Sequence, residues 1–424
     1  MDYRYVIVGG GMAADAAAKA ARKADHEGNV LVICAESDEP YRRPPLTKGL
    51  WNGDDPAKVA LHTAQQGVDL VLGDAAVAID LGARAVALSS GRSVHYERLL
   101  LATGAEARSL PLVPVGGPVL AYRHLADYRE ARKRAGPGKR VLVVGGGFIG
   151  SELAAGLRRA GADVHMAFRE QAISALRFPA ELADAVTNDY RERGVNVHVG
   201  TSVAAAEVAA DCVAVTLSDG TEDRFDLVVV GIGAAPNVAL ARSAGLEVDN
   251  GIVVDEHLRA SRAAPAGGGA AHTDGYLGVY AAGDVASFPW PRPFSRGRIE
   301  HEDNAVTMGA HAGREMAASF FAGQPGTGNT ASVDVAEAPF AHFPFFYSDL
   351  FDNGYEAVGT LDSRLETVCD WRKPYAEGVV YYLEGDLVKG VLLWNTWGQV
   401  DEARDLILAS QPVARERLTG RLPR

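Results

Sequence analysis

Residues 3–14 read YRYVIVGGGMAA and residues 139–150 read KRVLVVGGGFIG. Each stretch is a short β-branched run, a glycine cluster, and then residues that favour a helix. The first helix is alanine-rich, from Ala13 to Ala24, and the second runs from about Phe148 to Arg159. A further apolar strand follows each helix, at Val30–Cys34 and at Asp163–Phe168. Strand, glycine turn, helix and strand, written twice, is the pattern of a duplicated dinucleotide-binding unit. Two copies cannot stack into an array, so a solenoid is excluded.

The spacing inside each cluster carries the chemistry. Gly9, Gly11 and Ala14 form GxGxxA around Ala13, and Gly145, Gly147 and Gly150 form GxGxxG around Phe148 and Ile149. The first glycine permits a tight turn. The second lets a pyrophosphate reach backbone amides at a helix N-terminus. The third position needs a small residue for helix–strand packing, which Ala14 still satisfies. Glu36, just past Val30–Cys34, is placed to accept ribose hydroxyls, against a plain turn residue in ESDE. After the second motif the strand ends on Phe168, and Arg169 and Glu170 follow. Glu170 suits ribose hydroxyls and Arg169 suits a 2′-phosphate. Neighbours on an extended chain point to opposite sides, so only one of them faces the ribose.

Further strands end in residues of the same kind. Leu99–Ala102 leads into Thr103 and Gly104, Leu227–Val230 into GIGAAP (231–236), and Val279–Ala282 into Gly283 and Asp284. A carboxylate at a strand C-terminus points into the crevice where doubly wound sheets bind ligands, although Asp284 also suits a helix N-cap. In PYRRPPLTK (40–48) two prolines predict a stiff, extended segment between Arg43 and Lys48. That segment either holds two cations near a pyrophosphate or is an ordinary basic loop. Glu152, in the first turn of the second helix, either answers the helix dipole or pairs with Lys48. In RIEHEDNA (298–305), His301 stands out among groups that could simply cap a helix.

The whole chain sets the limits. Its 424 residues suit two or three domains. A net charge of −12 argues against a nucleic-acid binder and against docking on anionic lipid. Cys34, Cys212 and Cys369 are far apart, and neither a metal site nor a Ser/His/Asp arrangement is visible. Single histidines such as His62 and His198 read as surface or satisfied residues. No apolar run reaches membrane-spanning length, and a first strand starting at Tyr3 leaves no room for a targeting peptide, so a cytoplasmic protein is expected. Residues 263–271, rich in Ala and Gly, read as a flexible insertion, and SFPWPRPF (287–294) as a proline-punctuated loop. From about Phe343 the texture becomes α+β, with strands at Tyr355–Thr360, Gly378–Leu383 and Leu387–Trp394 and a helix near Asp401–Ala409. The basic end, Arg415–Arg424, reads as a frayed tail.

The pieces VIVGGGMAA, EPYRRPPLTKGLW, LLLATG, VLVVGGGFIGSELA, VVVGIGAAPN, VYAAGD and RIEHEDNAV together resemble the FAD-dependent pyridine-nucleotide oxidoreductases of glutathione-reductase-like fold. FPFFYSDL and GYEAVGTLDS make the apoptosis-inducing factor and ferredoxin reductase group the nearest likeness, from residue 3 to about 410. The resemblance implies an α/β protein of two Rossmann-like domains plus a C-terminal α+β domain. The FAD-binding domain would take 1–117 and 251–330, the NAD(P)H-binding domain 118–250, and the α+β domain 331–414, with 415–424 as the tail. It implies hydride transfer from NADH to FAD, then electron transfer to a ferredoxin-type protein or to a small acceptor such as a quinone, a radical or oxygen. A slow redox-sensing flavoprotein, with homodimerisation, is the third reading.

The same resemblance assigns residues. Gly9, Gly11, Ala13, Ala14 and Glu36 would hold the ADP half of FAD, with Val77, Thr103, Gly104 and Arg123 also in contact. Arg43 and Lys48 would face pyrophosphate and flavin, and Asp284 the ribityl chain. Gly145, Gly147, Phe148, Ile149, Gly150, Glu170 and Gly233 would contact the nicotinamide cofactor, with the acid at Glu170 favouring NADH over NADPH. Lys48, Glu152 and His301 are the catalytic candidates, and Glu302, Tyr347 and Glu356 complete the surroundings of the flavin–nicotinamide stack. Ala14, Tyr347 and Glu302 depart from the group pattern of Gly, Trp and His. The close cysteine pair of disulfide reductases is missing, so electrons are expected to leave directly from the flavin.

Overall fold

The computed structural model describes residues 1–113, 115–209, 211–263, 278–291, 294–322 and 338–422. They form two compact units. The first holds Met1–Arg42, Val59–Ala105 and Pro236–Pro344, and the second holds Arg43–Lys58, Glu106–Ala235 and Phe345–Arg424.

In the first unit the strand Asp2–Val8 lies between Val30–Cys34 and Ser93–Leu101, parallel to both. Asp69–Leu72 extends one side and Val279–Ala281 the other, again in parallel. Strands buried on both faces must be apolar throughout, and Val30–Cys34 has no exposed residue. The register aligns the strand ends, with Val8 opposite Ile33 and Leu101, and Leu101 opposite Ala281. Everything that follows a strand here therefore emerges at one edge. The helices Met12–Ala24 and Glu302–Ala322 pack closely: a Cβ on Gly309 would lie 2.2 Å from the Ala13 carbonyl oxygen.

The second unit repeats the plan. Its parallel sheet runs Asn196–His198, Asp163–Ala167, Arg140–Val144, Leu227–Val230, Val119–Ala121. Val144 stands opposite Ala167 and Val230, so the carboxyl ends again line up. A three-stranded antiparallel sheet, Val203–Val208, Val213–Leu217 and Glu222–Phe225, belongs to this unit. So does the C-terminal antiparallel sheet, in the order Phe345–Leu350, Asn353–Gly359, Leu387–Trp394, Glu377–Glu384, Glu366–Lys373, with the helix Val400–Leu408.

Three expectations change. Pro44–Leu46 is a tight 3₁₀ turn and not an extended segment, because prolines at the first positions of a turn lose no needed N–H. Ser287–Pro289 is no loop: it lies in the strand Ala286–Pro289, between Ile252–Val253 and Arg296–Gly297. The tail is docked, not frayed. Leu418 and Leu422 are buried, and the Arg415 guanidinium bridges Glu366 and Asp386. The insertion expected at 263–271 lies, beyond Ala263, outside the described residues. Among the described residues no helix is long and apolar enough to cross a membrane.

Candidate functional site

At the sheet edge of the first unit, Gly9 adopts φ +134°, and a Cβ there would lie 2.1 Å from the Ala102 carbonyl oxygen. Only glycine fits that turn. Gly11 is the residue before the helix Met12–Ala24, with no side chain capping the helix start. A Cβ on Gly11 would meet no atom within 4 Å. The approach to these uncapped amides is therefore open, which is what a pyrophosphate requires. Ala13 and Ala14 are buried within the helix. Glu36 is half-buried and its carboxylate accepts a hydrogen bond from the Tyr41 hydroxyl at 2.6 Å. The adjoining edge is fastened by Asn237. Its amide donates to the Thr103 carbonyl at 2.9 Å and its own carbonyl accepts from the Thr103 hydroxyl at 2.9 Å, while its N–H reaches the Gly104 carbonyl.

Asp284 opens the short turn Gly283–Val285 at the end of the Val279–Ala281 strand, and Arg298 donates to its carbonyl at 3.1 Å. His301 immediately precedes the helix Glu302–Ala322 and its carbonyl accepts from the Ala305 N–H. Glu302 pairs with Arg42 at 3.2 Å. Val77 sits on the antiparallel strand Ala76–Asp80 and is 56% exposed.

The second cradle has the same build. Gly145 has φ +117°, and a Cβ there would come 2.4 Å from the Gly231 carbonyl oxygen. A Cβ on Gly150 would stand 1.9 Å from the Gly145 carbonyl oxygen. A Cβ on Gly147 would meet only the Arg177 guanidinium, at 3.9 Å, so this approach is open too. The Arg177 guanidinium lies 4.2 Å from the centre of the Phe148 ring. Ile149 and Glu170 are half-buried and Arg169 is exposed. The Gly233 carbonyl accepts from the Arg108 N–H at 2.9 Å. Arg43 donates to the Arg123 carbonyl at 3.1 Å and lies 3.3 Å from His124 Nδ1.

The third cluster grows from the proline turn. The Leu46 carbonyl accepts from Trp51 Nε1 at 2.9 Å and from the Tyr122 hydroxyl at 2.6 Å, which anchors the turn. Lys48 is thereby held against the helix Phe148–Arg159, where its ammonium pairs with Glu152. Their side chains are 12% and 6% exposed. Thr47 and Ser348 hydroxyls also donate to Glu152. Lys48 Nζ lies 5.0 Å from the Tyr347 ring centre and 3.5 Å from Asp349. Tyr347 stands opposite Glu356 in the C-terminal sheet, and the Gly398 N–H approaches the Glu356 carboxylate at 3.4 Å.

Sequence reasoning missed Tyr41, Thr47, Arg177, Asn237, Ser348 and Asp349. Tyr41, Thr47, Asn237, Ser348 and Asp349 all sit inside quoted motifs, but a hydroxyl or amide takes its role from a partner far along the chain. The three cysteines are free. The Cys34 thiol is pushed up to about 12, first by burial and then by Glu36 and Glu39, so it stays protonated at neutral pH.

Two glycine cradles with open helix N-termini, each beside a half-buried acid, define an oxidoreductase built for two dinucleotides. The chain belongs to the pyridine nucleotide-disulphide oxidoreductase family, whose model matches residues 3–309. It is an oxidoreductase that uses FAD and a nicotinamide dinucleotide. It is 32% identical to apoptosis-inducing factor 1 of Dictyostelium discoideum, across 97% of this chain and 79% of the relative. It is also 32% identical to putidaredoxin reductase of Pseudomonas putida, across 96% of this chain and 92% of the relative. A solved covalent complex of putidaredoxin reductase with putidaredoxin superposes with a TM-score of 0.83 at 29% identity, covering 98% of this chain and 95% of that one.

Proposed function

We propose that the chain is an NADH-dependent reductase of a ferredoxin-type protein. The observation that carries this reading is the absence of any paired cysteine in a chain that otherwise matches a ferredoxin reductase over nearly its whole length. With no thiol relay, electrons leave from the flavin itself. Bound FAD supplies the step between a two-electron donor and a one-electron carrier.

The residues have separate duties in this reading. Gly9, Gly11, Glu36, Thr103, Gly104 and Asp284 hold FAD, with Ala13, Ala14, Val77, Arg43 and Arg123 beside them. Gly145, Gly147, Phe148, Ile149, Gly150 and Gly233 hold the nicotinamide dinucleotide. Glu170 accepts its ribose hydroxyls, and the half-burial of Glu170 beside an exposed Arg169 supports NADH over NADPH. Lys48 places a positive charge where the reduced flavin becomes anionic, and Glu152 keeps that lysine in place. His301, Glu302, Tyr347 and Glu356 surround the stacked rings. Residues 1–117 and 251–330 form the FAD-binding domain and 118–250 the NADH-binding domain in this reading, and the protein works in the cytoplasm.

The purified protein should be yellow, release FAD on heating and be reduced by NADH faster than by NADPH. With NADH it should turn over a [2Fe–2S] ferredoxin faster than a quinone or an organic radical. Rapid quinone or radical reduction with no ferredoxin turnover would overturn the assignment of the acceptor. A colourless protein that takes up no FAD would overturn the whole reading.

A further inference from the structure

The Glu152 carboxylate carries more donors than a salt bridge needs. Its Oε2 accepts from the Thr47 hydroxyl at 2.5 Å. Its Oε1 accepts from both the Lys48 ammonium and, at 2.5 Å, the Ser348 hydroxyl. Ser348 comes from the C-terminal sheet, in the strand Phe345–Leu350, and is fully buried. Alternation along that strand turns Tyr347 and Asp349 to the opposite side from Ser348. Lys48 reaches both, the ring at 5.0 Å and the carboxylate at 3.5 Å. One run of three residues therefore touches both members of the ion pair.

A buried carboxylate with a single cationic partner is stranded whenever that partner moves. Here the hydroxyls of Thr47 and Ser348 stay on Glu152 wherever the lysine goes. Asp349, 51% exposed, offers the ammonium a second carboxylate on the solvent side. Because Ser348 shares Oε1 with Lys48, its hydroxyl also limits where on the carboxylate the ammonium can settle.

We propose that Ser348 is a positioning residue for the reaction at the flavin. It acts through Glu152 to fix Lys48, and it is what the C-terminal sheet contributes to that pair. The proposal rests on the reading that Lys48 and Glu152 stand at the flavin.

The test uses FAD-loaded wild type, Ser348→Ala, Ser348→Cys, Lys48→Ala and the Ser348→Ala/Lys48→Ala double variant. Flavin reduction by NADH is followed in single turnover, and the potential of the bound flavin is measured by spectroelectrochemistry. Ser348→Ala should slow reduction about 10-fold, the effect of losing one hydrogen bond to a charged group. The KM for NADH should hold and the potential should fall. Ser348→Cys, a weak donor of similar size, should lie between the two. In the Lys48→Ala background the serine change should add nothing further. Ser348→Ala matching wild type in rate and potential, while Lys48→Ala is slowed, overturns the role of Ser348 alone. A serine effect that persists undiminished without Lys48 also overturns it, because Ser348 would then act on the fold and not on the pair. If Lys48→Ala changes neither rate nor potential, the placement of the pair at the flavin has failed and the proposal falls with it. Should Ser348→Ala not load FAD, Ser348→Cys carries the same comparisons.

Discussion

The two glycine cradles have the same backbone and differ in where they keep their small residue. In the second, a Cβ on Gly150 would overlap the Gly145 carbonyl oxygen at 1.9 Å. In the first, Ala14 holds the equivalent place, carries its Cβ and is fully buried. The demand for close packing has moved to another helix. Gly309 and Gly313 of Glu302–Ala322 each leave room for the first helix, since a Cβ on either would lie 2.2 Å from the carbonyl oxygen of Ala13 or Ala17. A motif's third position thus reports local crowding and not nucleotide binding as such, which is why GxGxxA and GxGxxG serve equally.

That comparison can be broken most severely at Gly150. Gly150→Ala should weaken NADH binding about 100-fold, the upper range of overpacking strain, while FAD stays bound. Ala14→Gly should cost only about 1 kcal/mol of stability, the helix propensity of glycine. Stopped-flow titration with NADH and thermal unfolding measure the two. Equal and small effects from both changes would mean that the backbone around Gly150 yields easily. Next in size is Gly309→Ala. It should destabilise the first unit by about 2 kcal/mol and promote FAD release on warming, leaving NADH affinity of the loaded protein intact. Flavin fluorescence during a thermal ramp reads this directly. A variant as stable as wild type would show that the two helices can separate without loss.

What was legible in the sequence follows the same division between local and distant causes. Val30–Cys34, Phe148–Arg159, Leu227–Val230 and Leu387–Trp394 were readable to the residue, because each is set by its own burial pattern or glycine boundary. Glu366–Lys373 was not, since its residues alternate between partner strand and solvent and include four charged groups. The proline turn was misread because the rule that disfavours helical backbone before proline gave way here. Arg43 is helical in φ and ψ, and the turn is held by Trp51 and Tyr122. The tail was misread because its charges looked solvated, whereas Arg415 has partners some 30 and 50 residues away. Among the site residues, the glycines were visible because turn geometry is a local need. Ser348 and Thr47 were not, because a hydroxyl finds Glu152 only once the C-terminal sheet and the proline turn are in place.

The acids beside the cradles sharpen the comparison at a smaller scale. Glu36 has a tyrosine partner, and Glu170 follows the same kind of strand in the second copy with an arginine as its neighbour. Glu170→Ala should lower kcat/KM for NADH about 10-fold and leave NADPH less affected, since a charged acceptor of ribose hydroxyls is lost. Arg169→Ala should change either cofactor by no more than about 2-fold, as for an exposed charge. A wild type that prefers NADPH, and loses that preference in Arg169→Ala, would reverse the assignment of the two neighbours.

The smallest effect is expected at the residue that lies under the middle glycine of each cradle. A Cβ on Gly10 would lie 2.8 Å from Cys34 Sγ, and a Cβ on Gly146 would lie 2.8 Å from the Phe168 ring. Cysteine in one copy and phenylalanine in the other occupy the same place, so what the position requires is an apolar floor and not a thiol. The chemistry of Cys34 agrees: it is fully buried, and its thiol is pushed up to about 12 by burial, then by Glu36 and Glu39. Thiolate is the reactive form, and at neutral pH almost none is present. Cys212 and Cys369 are free and neither pairs with it. A Cys34→Ala, Cys212→Ser, Cys369→Ser variant should therefore keep its rate of flavin reduction within about 2-fold of wild type. Its stability should fall by on the order of 1 kcal/mol, from the small cavity left beneath Gly10. Single-turnover reduction by NADH and thermal unfolding separate the two quantities. A folded, FAD-loaded variant that lost the rate would place a thiol in the electron path, and the equivalence of Cys34 with Phe168 would be one of shape alone.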